Sequence, residues 1–405
     1  MVASKAIEWL RELVQIPSVN PGGATRLVPE IQGEKRVTDW LESWARAQGI
    51  RSYRQPVASG RDNLVMEVQG RGENHRTQLW EVHQDTVDVA GMTVEPFGAR
   101  ILEGLLYGRG ACDVKGSMAA MLGALAEVQQ HPGPCSDRII LACTVDEEHT
   151  FLGVQALRGN TPGSIRVGPE TTCQPDFAVV AEPSGLNIID AHKGVIRWNI
   201  QVQGTACHSS TPDLGSNAIY AAAEIAKAIE RLHGSLRSSS GNPTDGGSIC
   251  LTQIAGGSAP NIVPHECVLL VDRRIGFTET PEVADLQLRT LLDGLAFPAG
   301  IQCQLSDPII RCPALNPEGN ETACGRLASA IRQTTGRCEV RTVAFGTDAS
   351  TIAEHGIPAV VFGPGDIAQA HTKDEWIDLT EVETASRILF LLATQTPSSG
   401  LETIA

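Results

Sequence analysis

The sequence has no run of about 18 apolar residues, so a membrane-spanning helix is not predicted. It has no C-x-x-C pair. Its 11 cysteines are scattered, which argues against a zinc ribbon or a disulfide framework and predicts reduced thiols. Basic residues are too few to favour nucleic acid or an anionic membrane as a partner, because 32 Lys and Arg stand against 47 Asp and Glu and the net charge is −15. No G-x-G-x-x-G follows a predicted strand, which argues against a dinucleotide-dependent dehydrogenase.

The N-terminus lacks the uninterrupted apolar segment of a secretory signal, because charged and apolar residues alternate through residues 1–21. Together with the reduced cysteines, this predicts a cytoplasmic protein. A hydrophobic content of 42% over 405 residues is enough for about two domains with substantial cores.

The first and last parts of the chain alternate helices with solidly apolar strands. Strands are predicted at residues 63–68, 79–82, 138–145, 177–181 and 357–362, and helices at residues 3–15, around residues 37–41 and from Asp113 to about Gln130. This pattern is typical of an α/β fold with a mostly parallel sheet. Such sheets bind ligands at the carboxyl ends of their strands, so a site is expected there.

The middle of the chain has a different pattern, because its strands alternate apolar and polar residues, as in an antiparallel sheet with one wet face. Strands are predicted at residues 195–202, 248–254 and 267–273, and helices at residues 217–232 and 282–295. We expect an inserted α+β domain of β-α-β-β-α-β (ferredoxin-like) type at residues 195–310. A metal-binding catalytic domain would be formed by residues 1–194 and 311–405.

The stretch from Trp80 to Met121 contains the first candidate site. His83 and Asp85 follow an apolar strand at positions i and i+2, so both side chains face the same way on an extended backbone. Asp113 occupies a good N-cap position before the next apolar segment. Imidazole and carboxylate groups suit a divalent metal ion. A lone H-x-D pair is also common in proteins without a metal site.

Other strand ends carry groups that would complete a metal site. The collected set is His83, Asp85, Asp113, Glu147, Glu148, Glu182 and His371. It suits two zinc-like ions, about 3.5–4 Å apart, that share one carboxylate. Glu147 and Glu148 point opposite ways on an extended segment, so one is expected to bind metal and the other to carry a proton. Taken alone, the run Asp146–Glu148 is also consistent with a solvated group of charges.

Several motifs resemble those of the M20 metallopeptidase family, which includes acetylornithine deacetylase, succinyl-diaminopimelate desuccinylase, aminoacylase and glutamate carboxypeptidase. The motifs are V-H-Q-D (82–85), G-R-G-A-C-D-V-K-G (108–116), D-E-E (146–148), A-E-P (181–183), G-T-A-C-H-S-S-T-P-D-L-G-S-N-A (204–218), N-I-V-P-H-E-C (261–267) and A-H-T-K-D-E (370–375). They span nearly the whole chain in the family's order, and together they are highly specific.

The resemblance implies two divalent metal ions, with Zn²⁺ expected and Co²⁺ as the alternative. The implied ligands are Asp113 as the bridge, His83 and Glu182 at one ion, and Glu148 and His371 at the other. Glu147 would be the general base, and Asp85 would orient His83. The resemblance also implies a cis peptide bond between Asp113 and Val114.

Further residues are implied to bind the substrate. His208 would donate to the tetrahedral oxyanion from the partner subunit of a homodimer formed through the inserted domain, although a histidine in a Ser/Thr-rich loop is also an ordinary surface residue. Asn261 would lie nearby, and Arg274 would hold a substrate carboxylate, with adjacent Arg273 as the alternative. The substrate loop would contain Gly346, Thr347 and Asp348. Two interpretations of Asp348 remain open, a partner for a cationic amine or a loop cap.

These features predict a cytoplasmic di-zinc amidohydrolase that acts on a small N-acyl amino acid, in the manner of acetylornithine deacetylase or succinyl-diaminopimelate desuccinylase. A carboxypeptidase or dipeptidase of the same family, acting on a short peptide, is the first alternative. A non-catalytic metal-binding adaptor is the second. The presence of both Glu147 and His208 argues against the adaptor, because a binding module has no need of a proton carrier.

Overall fold

A computed structural model of the chain describes residues 4–22, 28–73, 75–239 and 246–395. The helices are α1 (Lys5–Gln15), α2 (Lys35–Ala47), α3 (Gly116–Gln130), α4 (Leu152–Ala156), α5 (Ala218–Ser239), α6 (Pro281–Asp293), α7 (Glu321–Thr335), α8 (Asp348–Glu354) and α9 (Leu379–Thr394). Over these described ranges, every helix is too short or too polar to cross a membrane.

The strands are β1 (Arg51–Ala58), β2 (Arg61–Val68), β3 (Thr77–His83), β4 (Arg100–Leu102), β5 (Leu105–Tyr107), β6 (Arg138–Thr144), β7 (Ile165–Arg166), β8 (Thr172–Cys173), β9 (Phe177–Val180), β10 (Ile188–His192), β11 (Gly194–Gln203), β12 (Ser248–Gly256), β13 (Glu266–Ile275), β14 (Gln302–Leu305), β15 (Ile310–Cys312), β16 (Val340–Val343), β17 (Ala359–Val361) and β18 (Trp376–Asp378). The chain divides into two compact units. The first comprises Met1–Ala191, Pro317–Thr342 and Thr347–Ala405, and the second comprises His192–Asn316 and Val343–Gly346.

The first unit is built on an eight-stranded sheet in the order β1-β2-β6-β3-β9-β17-β10-β16. The central strands β6, β3, β9 and β17 are parallel, whereas β1, β2 and β10 pair in antiparallel fashion at the sides. The predicted α/β fold with a mostly parallel sheet is therefore confirmed. In this register His83 pairs with Thr144, and Glu81 pairs with Val180. The residues that follow β3, β6 and β9 consequently emerge at one edge of the sheet.

Helices α1, α2, α3, α7 and α9 form one hydrophobic core with the sheet. In α1 the fully buried residues Leu10, Leu13 and Val14 recur at helical spacing, which explains its amphipathic pattern. Helix α3 is buried almost throughout. Its Gly123 leaves room for the side chains of Ala6 and Ser386, so α1 and α9 approach α3 closely.

The amide of Asn63 joins the end of β6 to the start of α4. Its Oδ1 accepts a hydrogen bond from the N–H of Val145 at 3.0 Å, and its Nδ2 donates to the carbonyl of Gly153 at 2.8 Å. The N–H of Gly153 donates to the carbonyl of Val145 at 2.9 Å. A Cβ atom at residue 153 would collide with the backbone of Val145, so a glycine is required at this close approach. These contacts fix both ends of the turn at residues 146–151.

The second unit has the predicted β-α-β-β-α-β order, formed by β11, α5, β12, β13, α6 and β14. Its antiparallel sheet runs β12-β13-β11-β14, with β15 paired to β11. Apolar residues alternate inward along β11 and pack against α5 and α6. The indole N–H of Trp198 donates to Asp285 at 2.8 Å, which links β11 to α6.

The prediction that Asp113 begins a helix as its N-cap is wrong. The α-helix begins at Gly116, and Asp113 lies in a preceding turn with φ −119° and ψ 90°. Its carboxylate faces two imidazoles instead of the free N–H groups of the helix. A side chain committed to those partners cannot also cap the helix.

Two glycine substitutions test the packing of the 146–151 turn. Gly153→Ala should lower the free energy of unfolding by on the order of 1–3 kcal/mol, because its methyl group meets the backbone of Val145. Gly325→Ala in α7 is the matched control, since nothing lies within 4 Å of the added methyl group. It should stabilise the protein by up to about 1 kcal/mol through helix propensity. Urea unfolding of the two variants measures both effects, and equal stabilities would contradict this packing.

Candidate metal centre

Asp113 lies between two imidazoles. Its Oδ1 is 3.2 Å from Nε2 of His83, and its Oδ2 is 3.3 Å from Nε2 of His371. The turn at Ala111–Lys115 presents Asp113 and contains a cis peptide bond between Asp113 and Val114, as the resemblance implies. The two oxygens of one carboxylate thus face two different nitrogen donors, which is the arrangement expected of a ligand shared by two ions.

Each imidazole also faces a second carboxylate. Nε2 of His83 is 3.9 Å from Oε1 of Glu182, and Nε2 of His371 is 3.2 Å from Oε2 of Glu148. The ligand atoms of His83, Asp113 and Glu148 lie within 4.8 Å of one another, and so do those of His83, Glu147 and Glu182. The structure therefore brings together every residue of the predicted metal set, and it places Glu147 among them.

The sheet and its loops position these side chains. His83 ends β3, Glu182 follows β9, and Glu148 follows β6 at the same edge of the sheet. His371 comes from a loop beyond β17 and has a positive φ of 61°. Its side chain is 54% exposed, whereas that of His83 is 2% exposed. The centre therefore has one deeply buried imidazole and one that solvent reaches.

The centre contains more carboxylates than its two imidazoles can balance. Burial lowers the pKa of His83, but the hydrogen bond with Asp113 and the charge of Glu147 outweigh it, and the pKa lies well above its ordinary value. Hydrogen bonds with Asp113 and Glu148 raise the pKa of His371 to about 10. Burial raises the pKa values of Glu147 and Glu182 well above their ordinary range. Imidazole nitrogens and carboxylate oxygens are donors that zinc-like ions accept, so this set fits two divalent cations.

Asp85 holds the turn that carries Glu147 and Glu148. Its Oδ1 accepts a hydrogen bond from the N–H of Glu147 at 3.2 Å, and its Oδ2 accepts from the N–H of Glu148 at 3.1 Å. Nδ1 of His83 lies 3.0 Å from the carbonyl oxygen of Asp85 and 3.7 Å from its Oδ1. Asp85 therefore contacts His83 chiefly through its backbone, and its carboxylate organises the neighbouring turn.

A buried polar network supports this turn from behind. Nδ2 of Asn20 donates to Asp85 at 2.7 Å and to Asp146 at 3.0 Å. The guanidinium of Arg61 pairs with Asp146 at 2.8 Å and donates from Nε to Glu34 at 2.8 Å. Sequence reasoning missed Asn20, Glu34 and Arg61, because they lie far from the turn along the chain and match no local motif.

Two further buried acids lie beside the centre. Glu81 precedes His83 by two residues on β3 and accepts a hydrogen bond from Oγ1 of Thr144 at 2.5 Å. Burial raises the pKa of Glu81 to about 7, and burial together with the charge of Glu81 raises that of Asp348 well above its ordinary value. The cap of α8 is Thr347, whose Oγ1 accepts from the N–H of Ala349 at 3.2 Å, and not Asp348. The alternation Glu81, His83, Asp85 could have revealed Glu81 in the sequence.

His208 and Asn261 lie side by side in the second unit. His208 forms a bridge with Ile262, and the N–H of Ser209 donates to the carbonyl of Asn261 at 2.9 Å. Both residues are exposed. The N–H of Ser210 donates to Nδ1 of His208 at 3.2 Å, which favours the tautomer of the neutral imidazole with its proton on Nε2.

Adjacent Arg273 and Arg274 point to opposite faces of β13. Arg273 is 1% exposed and pairs with Glu279, whereas Arg274 is about one-third exposed and donates from Nε to Asp272 at 2.9 Å. Solvent therefore reaches Arg274 and not Arg273. Gly346 also belongs to the second unit, where the carbonyl of Lys193 lies 3.4 Å from the position of an added Cβ.

Comparison with known proteins gives a consistent result. A model of peptidase family M20/M25/M40 matches residues 79–395. The acetylornithine deacetylase of Proteus mirabilis is 30% identical over 399 residues, which cover 95% of this chain and 94% of that protein. The acetylornithine deacetylase of Aliivibrio fischeri is 30% identical over 372 residues, covering 88% and 90%.

Solved structures of similar fold carry peptidase names. A tripeptidase from Staphylococcus aureus matches with a TM-score of 0.72 at 23% identity, covering 96% of this chain and 98% of that one. A Bacillus subtilis protein described as a dinuclear metal-binding peptidase of the M20 family matches with a TM-score of 0.66 at 16% identity, covering 96% of each chain. At identities this low, the similarity to these structures is evidence for a shared fold alone.

Metal binding to the metal-free protein should release protons near pH 7.5. The pKa of His371 is raised to about 10 and that of His83 lies well above its ordinary value, so both imidazoles carry a proton that a cation must displace. Calorimetric titration in two buffers of different ionisation enthalpy measures the number released. His371→Asn should release about one proton fewer, as this linkage requires, whereas His131→Asn, on an exposed residue at the end of α3, should match the wild type. Heats that are independent of the buffer would contradict this account.

Proposed function

The chain belongs to peptidase family M20/M25/M40, and from this membership and its metal centre we propose that it is a two-metal deacylase of small N-acyl amino acids. One observation carries the proposal: the two oxygens of Asp113 face two different imidazoles, and Glu147 lies beside them. The curated relatives at about 30% identity and nearly full coverage are acetylornithine deacetylases, whereas the peptidase structures are similar in fold. This favours deacylation of N-acetylornithine, or of a similar substrate such as N-succinyl-diaminopimelate, over peptide cleavage.

Five residues would hold the two ions, which we expect to be Zn²⁺, with Co²⁺ as the alternative. Asp113 would bridge, His83 and Glu182 would complete one site, and Glu148 and His371 would complete the other. When bound, the ions would polarise the substrate carbonyl and lower the pKa of a water molecule.

Glu147 would move the proton. It lies beside His83 and Glu182, and Asp113 already supplies a carboxylate to both imidazoles, so Glu147 is left for another task. Burial raises its pKa well above the ordinary range, which suits a carboxylate that accepts a proton from water and returns it to the leaving amine. Asp85 would keep Glu147 and Glu148 in place through their backbone N–H groups.

The second unit would supply groups that bind substrate and form a homodimer. The contact of Nδ1 of His208 with the N–H of Ser210 leaves Nε2 to carry the proton that a donor to an oxyanion requires, and Asn261 lies next to His208. Of the two arginines, Arg274 is the accessible one and would hold a carboxylate. Tyr220 of α5 is 74% exposed and Ile254 of the edge strand β12 is 53% exposed, which favours a subunit interface on this unit.

The Thr347–Asp348 loop favours a substrate with a basic side chain. Asp348 is buried beside Glu81, and burial, the charge of Glu81 and a hydrogen bond between the two carboxyl groups raise the pKa of Asp348 well above its ordinary value. Thr347 is the cap of α8, so the Asp348 carboxyl group is not needed for that role. A substrate ammonium group beside it would favour its charged form. This would favour N-acetylornithine over acidic N-acyl amino acids.

A hydrolysis screen tests the proposed function. The metal-loaded protein is assayed against N-acetyl, N-succinyl and N-formyl amino acids and against dipeptides. The proposal expects the highest kcat/KM for an N-acyl basic amino acid. Higher values for dipeptides would favour the carboxypeptidase or dipeptidase alternative, and metal binding without any hydrolysis would favour the adaptor.

The first mutational prediction concerns Glu147. Glu147→Gln should keep the metal content but lower kcat by about 10²- to 10⁴-fold, because the amide cannot accept the proton. Glu127→Gln makes the same chemical change on an exposed residue of α3 and should leave kcat unchanged. Measurement of kcat with metal content for both variants decides the role, and near wild-type turnover of fully loaded Glu147→Gln would exclude it.

The second mutational prediction concerns His208. If His208 acts across a two-fold dimer, a mixed dimer of a Glu147→Ala chain and a His208→Ala chain has one intact site, which joins Glu147 of one chain to His208 of the other. Refolding equal amounts together makes about half the dimers mixed, so activity should return to roughly a quarter of the wild type. If His208 acts within its own chain, every site keeps a lesion and no activity returns. Mass spectrometry of the mixture verifies that mixed dimers have formed.

A further inference from the structure

Glu375 is fully buried, and its carboxylate accepts hydrogen bonds from the turn that contains Asp113. Its Oε1 accepts hydrogen bonds from the N–H groups of Cys112 at 2.9 Å and Asp113 at 3.0 Å. Its Oε2 accepts from the N–H of Gly110 at 3.0 Å and from Nη1 of Arg109 at 2.7 Å. One side chain therefore fixes three peptide groups at residues 110–113, including the one from which the Asp113 side chain departs.

The same residue ends the short segment that begins with His371. Three residues lie between His371 and Glu375. The carbonyl of Glu375 accepts from the N–H of Gly108 at 3.0 Å, and the carbonyl of Thr372 accepts from Nη2 of Arg109 at 3.4 Å. The His371 segment and the Asp113 turn are thus bound to each other at several points, and Glu375 takes part in most of them.

We propose that Glu375 is a positioning residue that sets the distance between Asp113 and His371, and with it the site of the more exposed metal ion. The inference rests on the proposed function, because it assumes two ion sites. His83 is held by the sheet at the end of β3, whereas His371 lies on a loop and is half exposed. The ion between Asp113, Glu148 and His371 therefore depends on Glu375 more than the ion beside His83 does.

The chemistry of the contacts requires a carboxylate at this position. A glutamine side chain has one acceptor oxygen and an NH₂ group, and the NH₂ group would face the N–H donors that Oε1 or Oε2 now accepts. Arg109 is 3% exposed, so its charge needs the negative partner that Glu375 supplies. Glu375→Gln should therefore loosen the turn at Asp113, whereas Glu375→Asp should keep the ion pair in part but withdraw the carboxylate from some of the N–H groups.

Asp137 offers a matched control at the other end of the sheet. It precedes β6, is 3% exposed, and accepts hydrogen bonds from the N–H of Arg76 at 3.0 Å, from Gln78 at 2.7 Å and from Arg326 at 2.6 Å. Like Glu375, it is a buried carboxylate with a backbone N–H and a guanidinium as partners. Asp137→Asn should therefore cost stability without changing the metal sites.

The test is the stepwise binding of Zn²⁺ to the metal-free protein, measured by competition with a chromophoric chelator, together with thermal unfolding of each variant. Wild type and Asp137→Asn should bind two ions with the same pair of affinities. Glu375→Gln should lower the affinity for the ion between Asp113, Glu148 and His371 by about 10- to 100-fold, the range for residues that orient ligands. The affinity for the ion beside His83 should change by no more than a few-fold. Glu375→Asp should lie between wild type and Glu375→Gln.

Other binding results would separate a failure of the positioning role from a failure of the proposed function. Two ions bound with wild-type affinities by a folded Glu375 variant would overturn the positioning role and leave the proposed function standing. A single ion bound by the wild type would overturn the proposed two-metal function itself. If Glu375→Gln does not fold, Glu375→Asp decides. If neither folds while Asp137→Asn does, Glu375 is a residue of general stability and the proposal is wrong.

Discussion

Carboxylates buried at the carboxyl ends of the parallel strands impose the constraint on which the rest of the site depends. Among the residues that the structure describes, two imidazoles lie within reach of four buried carboxylates, those of Asp113, Glu147, Glu148 and Glu182. Isolated charges are costly to bury. The raised pKa values of His83 and His371 favour protonated imidazoles, which would offset part of this charge in the metal-free protein. Two divalent cations would offset it more fully, so the same excess of negative charge would account both for metal binding and for the predicted release of protons.

The surrounding structure keeps these mutually repelling groups in place. The Asp85 carboxylate accepts hydrogen bonds from the backbone N–H groups of Glu147 and Glu148, and Asn20 donates a hydrogen bond to Asp85. Glu375 does the same for the turn at Asp113. In each case a carboxylate accepts hydrogen bonds from backbone N–H groups. These bonds position the neighbouring side chain but leave its own polar atoms unused. The atoms that would bind the cations therefore remain available to them.

The sequence reveals the parts of this arrangement that depend on local pattern. The apolar strands and the period-two placement of His83 after β3 predict both the sheet and the edge where the ligands meet. Asp113 was wrongly expected to cap a helix, because its partners lie 30 and 258 residues away in sequence and leave no local trace. Asn20 and Arg61 were missed for the same reason. Glu375 belongs to the motif at residues 370–375, but its hydrogen bonds with Arg109, Cys112 and Asp113 could not be predicted from the sequence. Arg273 and Arg274 are separable only once the strand register shows which of them faces the core of the second unit.

The proposed function requires that two metal ions share the Asp113 carboxylate. Anomalous diffraction from crystals of the metal-loaded protein, recorded at the absorption edge of the bound metal, tests it most directly. If the carboxylate is shared, each chain should give two anomalous peaks about 3.5–4 Å apart. One should lie between Asp113, His83 and Glu182, and the other between Asp113, Glu148 and His371. A single peak, or two peaks that do not flank Asp113, would contradict it.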